Sequence, residues 1–200
     1  MMEQVLVVDR SKLLGGKALP HGLKKTGLKA LVERIYKFGQ FVNRPYAENN
    51  PDLKQIIPYM LMQYKDRFFL LHRRATQTEK RLHNKYSLGV GGHINPVKGM
   101  RSIRGIIEKG LERELHEELT VKCPYRYKLV AYLNDDSNPV GQVHLGLIYT
   151  VNVKDGAKVS VAETELMDGH FATGDEITPH YPLMETWSQI LYNNLIARKK

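Results

Sequence analysis

The chain has 200 residues, 42% hydrophobic and 26% charged, with a formal net charge of +9. That length suits one well-buried core rather than two full-sized domains, and the composition excludes a wholly disordered chain. The excess of 30 basic over 21 acidic residues favours anionic partners without choosing among nucleic acid, nucleotide and acidic protein.

The start, Met1-Met2-Glu3-Gln4-Val5, has neither a basic n-region nor a long apolar h-region, so a cytoplasmic location is expected. Val5 to Val8 reads as a strand, Gly15-Gly16 and Pro20 mark a loop, and Leu28 to Phe38 has helical spacing closed by Gly39. Residues 1–50 are therefore expected to form an accessory segment packed on the core, covering one side of a pocket or building a homodimer interface. The stretch from Asn43 to Asp52, with Pro45, Asn49-Asn50 and Pro51, marks the boundary to a catalytic domain over 51–200.

Ile56 to Tyr64 and Arg67 to Arg74 are apolar strands separated by Lys65-Asp66, as in a hairpin, and the apolar run 56–62 is too short to span a bilayer. No membrane contact is expected. Tyr86 to Val90 predicts a third strand running into Gly91-Gly92. Ile103 to Leu119 predicts the strongest helix, Tyr127 to Asn134 and Val143 to Val153 further strands, and Tyr181 to Ala197 a closing helix repeating at Leu183, Trp187, Leu191 and Leu195. The lone Cys123 excludes an internal disulfide and a Cys-His metal framework. Strands around one central helix point to a mixed sheet with helices on its faces.

With Glu114 at 0° on a helical wheel, Ile107, Leu111 and Leu115 fall at roughly 20°, 60° and 100°, which is the buried stripe. Glu118 falls at about 40° and Glu117 at about 300°, so Glu114 and Glu118 lie within or beside the apolar face. Burying two like carboxylates is costly unless a cation compensates, and a hard divalent ion with oxygen ligands does so. An exposed acidic helix is the competing reading.

Arg113-Glu114-Leu115-His116-Glu117-Glu118-Leu119-Thr120-Val121 resembles the helical half of the Nudix (MutT-like) box, R-E-U-x-E-E-x-G-U with U aliphatic, departing only where Thr120 replaces the last Gly. The first half departs further. At the family spacing Gly99 takes the leading Gly, but Gly105 stands where a Glu is expected. In the alternative alignment Gly91-Gly92-His93-Ile94 forms the entry from strand to loop, with a seven-residue insertion before the helix. The longer strings Ser87 to Pro96 and Asn134 to Gly146 resemble a branch of predicted MutT-like phosphoesterases.

The resemblance implies an α/β/α sandwich with a mixed sheet, here with an N-terminal extension. It implies metal-dependent hydrolysis of a phosphate anhydride bond in a nucleoside diphosphate linked to another group. It assigns Glu114, Glu117, Glu118 and the carbonyl of Gly91 or Gly92 as ligands of Mg²⁺ or Mn²⁺, and Arg113 to orienting the carboxylates. Candidates for the proton acceptor are Glu117, Glu163 and Glu165. Arg74, Arg81, Lys85 and His93 lie where phosphate charge could be clamped, against the plainer reading of an ordinary basic loop. Asp135, Asp136 and Asn138 read first as an Asx-rich turn, and Trp187 and Tyr192 as core. The partner expected is a nucleotide-like phosphorylated small molecule, with nucleic acid admitted but not favoured. The alternative function is a Nudix-fold nucleotide- or nucleic-acid-binding or regulatory module, favoured by the missing Glu.

Overall fold

The computed structural model describes residues 2–73, 85–162 and 164–197. Arg74, Arg81 and Glu163 lie outside them. Among the described residues no helix is long and apolar enough to cross a membrane.

In chain order the strands are β1 (Gln4–Asp9), β2 (Gly22–Lys24), β3 (Gln40–Asn43), β4 (Leu53–Tyr64), β5 (Arg67–Arg73), β6 (Tyr86–Ser87), β7 (Gly89–Gly91), β8 (Leu119–Val121), β9 (Tyr125–Asn134), β10 (His144–Val153), β11 (Val159–Val161) and β12 (Met167–Ala172). The helices are α1 (Arg10–Leu13), α2 (Leu28–Phe38), α3 (Arg44–Glu48), α4 (Ile103–Glu118), α5 (Pro139–Val143), α6 (Gly174–Ile177) and α7 (Thr186–Leu191). The main path of the sheet is β12-β5-β4-β10-β9-β2, with β1 and β7 on β4, β3 on β1 and β6 on β5, while β11 and β8 form a separate pair. This is a mixed α/β fold built on a mixed sheet, as the strand and helix pattern predicts.

Contacts divide the chain into two compact units, residues 1–59, 91–113 and 130–148, and residues 60–90, 114–129 and 149–200. In the first, β1 pairs antiparallel with β3 and, through Val7↔Gln55 and Asp9↔Leu53, with the start of β4. Val5, Val7, Ala47 and Leu53 bury one another there. The amphipathic α2 buries Leu31 and Ile35, as the helical spacing predicts, together with Val32, while Leu28 and Phe38 at its ends are half-buried.

In the second unit β12 pairs with β5 from Met167↔Arg73 to Ala172↔Phe68. The β4–β5 hairpin closes with Tyr64↔Arg67 around Lys65, whose φ of 55° is left-handed. Leu61, Phe68, Leu70, Leu88, Ile177, Met184 and Ile196 form a core cluster.

Two expectations are corrected. The strand predicted over 86–90 is two short strands, because the buried Leu88 N–H donates to Ser188 Oγ at 2.8 Å instead of to a ladder partner. The closing helix starts at Thr186 rather than Tyr181. Residues 178–183 form a 3₁₀ turn containing Pro182, Met184 and Glu185 are extended, and 192–196 widen into a π-helical turn. Proline has no backbone N–H to donate to the i→i−4 ladder, so the segment around Pro182 does not build one continuous helix with α7.

Candidate functional site

Helix α4 carries its carboxylates beside a buried apolar stripe. Ile107 and Leu111 are 1% and 0% exposed and Leu115 is 0% exposed, so the stripe on the wheel is the buried one. Glu114 is buried beside it, Glu118 is half-buried and Glu117 is exposed; the wheel separates Glu117 from the other two, but it places Glu118 nearer the middle of the stripe than Glu114, the reverse of the order found. Glu108, three residues after Gly105 on the same helix, is exposed and pairs with Arg104 at 3.1 Å. Glu118 accepts from Arg73 Nη2 at 2.8 Å, with side chains 18% and 13% exposed. Its backbone carbonyl takes the Ala162 amide at 2.9 Å, which fixes the end of the helix.

Arg113, one residue earlier, donates from Nη2 to the His93 carbonyl at 2.6 Å and to Asn95 Oδ1 at 3.0 Å. It therefore staples the loop after Gly91-Gly92 to the helix. Asn95 in turn donates to Glu3 Oε1 at 3.0 Å and to the Gln4 carbonyl at 2.9 Å, and the Leu6 amide donates to the Ile94 carbonyl at 2.8 Å. Gly91, in β7, leaves no room for a side chain: a Cβ there would lie 2.2 Å from the Pro58 carbonyl oxygen. An open cleft of about 470 Å³ lies between the loop and α4, lined by Asn95 to Lys98, Lys109, Gly110 and Arg113. Its three charged residues, Lys98, Lys109 and Arg113, are all cationic.

His93 lies in that loop with its Nε2 3.3 Å from His144 Nε2, while His144 Nδ1 lies 2.7 Å from the Val140 carbonyl. The carbonyl can only accept, so His144 carries its proton on Nδ1 and His93 donates to the Nε2 of His144. Burial, followed by repulsion from Arg44 and His144, pushes the His93 imidazole down to about 4. It is neutral near pH 7, so any contact it makes to a phosphate is a hydrogen bond and not an ion pair. Lys85 is half-buried ahead of β6, and its carbonyl accepts the Arg73 amide at 3.0 Å. Glu165 is exposed in the turn before β12.

The sequence reading missed a charged network in the first unit. Lys54, near the start of β4 and just ahead of its apolar run, has a fully buried side chain that donates to Asp136 Oδ1 at 2.8 Å and to the carbonyls of Gly141 at 2.8 Å and His144 at 3.1 Å. Arg10 grips the same carboxylate with two bonds of 2.9 and 3.0 Å, and Asn134 Nδ2 adds a third contact at 2.9 Å. Burial pushes the Lys54 ammonium down to about 8 despite its carboxylate partner. Burial alone would raise Asp136, but the hydrogen bonds from Arg10, Lys54 and Asn134 hold its carboxyl well below the usual carboxylate range. The strand read from the sequence began at Ile56 and left Lys54 outside it, so no local signal marked a lysine whose burial requires partners. The neighbouring turn is Asx-rich as expected, with Asp135 Oδ1 taking the Ser137 amide at 3.1 Å and Asp135 Oδ2 taking Asn138 Nδ2 at 3.0 Å. Trp187 is 9% exposed and Tyr192 packs on the second-unit cluster, so both serve the core.

Among the described residues no three His, Cys, Asp or Glu side chains are grouped closely enough to hold a metal ion. The donor chemistry of the last turn of α4 nevertheless fits a hard divalent cation. Three carboxylates project from it, one of them buried and one balanced by the Arg73 cation.

No family model matches the chain. It is 34% identical over 205 aligned positions to Protein YmaB of Bacillus subtilis (strain 168), an alignment that covers 98% of both. The solved structure of Tm1382, itself carried as a candidate Nudix hydrolase, superposes with a TM-score of 0.82 at 29% identity over 97% of this chain and 98% of that one. A MutT Nudix hydrolase from Burkholderia pseudomallei shares the fold with a TM-score of 0.52 at 16% identity, over 70% of this chain and 96% of that one.

Proposed function

This chain belongs to the Nudix family of MutT-like hydrolases, and we propose that it is a divalent-metal-dependent pyrophosphohydrolase acting on a nucleoside diphosphate linked to another group. The observation that carries the reading is the placement of Glu114, Glu117 and Glu118 in the last turn of α4, a helix held rigid by Ile107, Leu111 and Leu115. A solvated acidic helix would not bury Glu114.

Mg²⁺ or Mn²⁺ would be held by these carboxylates, with the Gly91 carbonyl as the further donor that the resemblance implies. When bound it lowers the pKa of a coordinated water and polarises a phosphoryl oxygen. Arg113 fixes the glycine loop through the His93 carbonyl and Asn95 Oδ1. Lys98 and Lys109 line the cleft beside that loop and suit phosphate oxygens. Glu117, the most exposed of the three carboxylates, accepts the proton of the attacking water, with Glu165 as the loop alternative. Arg74, Arg81 and Lys85 remain proposed phosphate contacts.

A second reading is a Nudix-fold binding or regulatory module for nucleotides. Gly105 in place of the box Glu, and Glu118 engaged with Arg73, favour it. The deciding experiment is a panel of nucleoside diphosphate derivatives incubated with millimolar Mg²⁺ or Mn²⁺. Release of phosphate-terminated products, abolished in Glu114→Gln, supports the hydrolase. Tight nucleotide binding without turnover supports the module.

A further inference from the structure

The positive charge of this protein is concentrated in one place. Residues 10–38 carry eight Lys and Arg residues against the single Glu33, hence +7 of the chain's formal +9, and leave the other 171 residues at only +2. They fold as α1, the Gly15-Gly16 turn, β2 and α2. Arg34 lies across the turn, its Nη2 2.7 Å from where a Gly15 Cβ would be, and Lys12, Arg34 and Lys37 gather 5.8, 5.8 and 5.2 Å from the centre of the Phe38 ring. Lys29, Arg34 and Lys37 share the face of α2 opposite Leu31, Val32 and Ile35. Arg10 is spent on Asp136 and Lys12 on Asp9. Among the described residues, Lys17, Lys24, Lys25, Lys29, Arg34 and Lys37 have no carboxylate within ion-pair distance, and Lys17, Lys25, Lys29 and Lys37 are exposed.

We propose that this face docks the phosphate backbone of a nucleic acid strand, a property independent of the hydrolase reading. Phosphate contacts need exposed, uncompensated cations and nothing more, and that is what the segment offers. A bilayer would also need an apolar side to insert, but the apolar side of α2 is buried in the protein. An acidic protein partner would need apolar or aromatic anchors, and the exposed large hydrophobic residues, Met2, Tyr46, Tyr127, Val140 and Leu183, all fall outside 10–38.

The test is metal-free binding of the full chain to fluorescein-labelled single-stranded RNA and duplex DNA of about 20 nucleotides, over a salt series. Engagement of four phosphates weakens binding on the order of 100-fold between 50 and 200 mM salt. Neutralising Lys17, Lys25, Lys29 and Lys37 to Gln together lowers the log–log salt slope by about 3. Changing the same four to Arg preserves affinity, which separates lost charge from damage. Neutralising Lys122, Lys128, Lys154 and Lys158, exposed in the second unit, leaves the slope within about 1 of the parent. The proposal is overturned if the control set weakens binding as much as the first, if neither probe binds at low salt, or if the protein binds phosphatidylserine vesicles and neither nucleic acid. Because the readout is binding and not turnover, its failure is distinct from failure of the hydrolase reading.

Discussion

The guanidinium of Arg73 donates to the carboxylate of Glu118 across 2.8 Å, with both side chains largely withdrawn from solvent. The pair joins the end of β5 to the last turn of α4. It gives Glu118 a partner in the metal-free protein and makes Arg73 a competitor of any cation that Glu118 would bind.

Glu118→Gln keeps the shape of the side chain and removes its anion. The metal-free variant should lose about 1–3 kcal/mol, the worth of a half-buried charge-assisted hydrogen bond. Metal-dependent turnover should fall by orders of magnitude. Chemical denaturation and turnover on one preparation check both. A destabilised variant with parental turnover removes Glu118 from the metal site and leaves it a structural anchor.

Protein stripped with chelator should melt higher when millimolar Mg²⁺ or Mn²⁺ is restored. Binding to the folded state alone contributes about 2.7 kcal/mol at a hundredfold excess over Kd. Calorimetry on parent and Glu114→Gln measures it, and an equal upshift in both would put the cation somewhere else.

Lys98→Ala and Lys109→Ala should raise KM with little change in kcat, since contacts to spectator phosphates are made in ground and transition states alike. Steady-state kinetics on the first substrate found decides, and a collapse of kcat at constant KM would give these lysines another role.

Gly91→Ala places a methyl group 2.2 Å from the Pro58 carbonyl oxygen. Backbone must move to admit it, so a loss above about 2 kcal/mol is expected. Urea denaturation of the variant reads it directly. A neutral result would mean that β4 and β7 part easily at that point.

The Lys54–Asp136 pair gives a signed pH dependence. Asp136 titrates below its unfolded value of 3.8, so its contribution is present above about pH 4 and fades as pH falls. Lys54 titrates at about 8 instead of 10.5, so between those values the unfolded chain holds a proton that the fold has released. Its contribution to stability therefore rises with pH across that window. Asp136→Asn strands a buried ammonium and should cost about 3–5 kcal/mol at pH 7. The gap to the parent should narrow at pH 9, where Lys54 is mostly neutral in the folded parent. Denaturation at the two pH values checks this, and a gap independent of pH would mean that Lys54 does not feel Asp136.

The parts of the fold that repeat at short range were legible. The stripe Ile107, Leu111, Leu115 fixed which side of α4 is buried, and Leu28 to Phe38 gave α2 at both ends. Three-residue strands such as β8 and β11 were not, because they rest on the pairing of Leu119 with Val161 rather than on any run of their own. The exposure of Glu117 beside the more withdrawn Glu114 and Glu118 followed from the wheel, whereas the deeper burial of Glu114 than of Glu118 did not. The partners did not: Arg73 and Glu118 are 45 positions apart and Lys54 and Asp136 are 82 apart, and nothing local in either stretch points to the other.

The enclosure of Lys54 also gives it a distinct behaviour toward amine-modifying reagents. Its nitrogen faces Asp136 Oδ1 and two backbone carbonyls and exposes no surface. An acylating reagent can reach it only after the segment from Asp136 to His144 has come away, so exposed lysines should be modified first and Lys54 last. The fraction of Lys54 acylated after a fixed exposure then counts openings of that segment, and mass spectrometry of the digested protein reads the count with no label introduced by design.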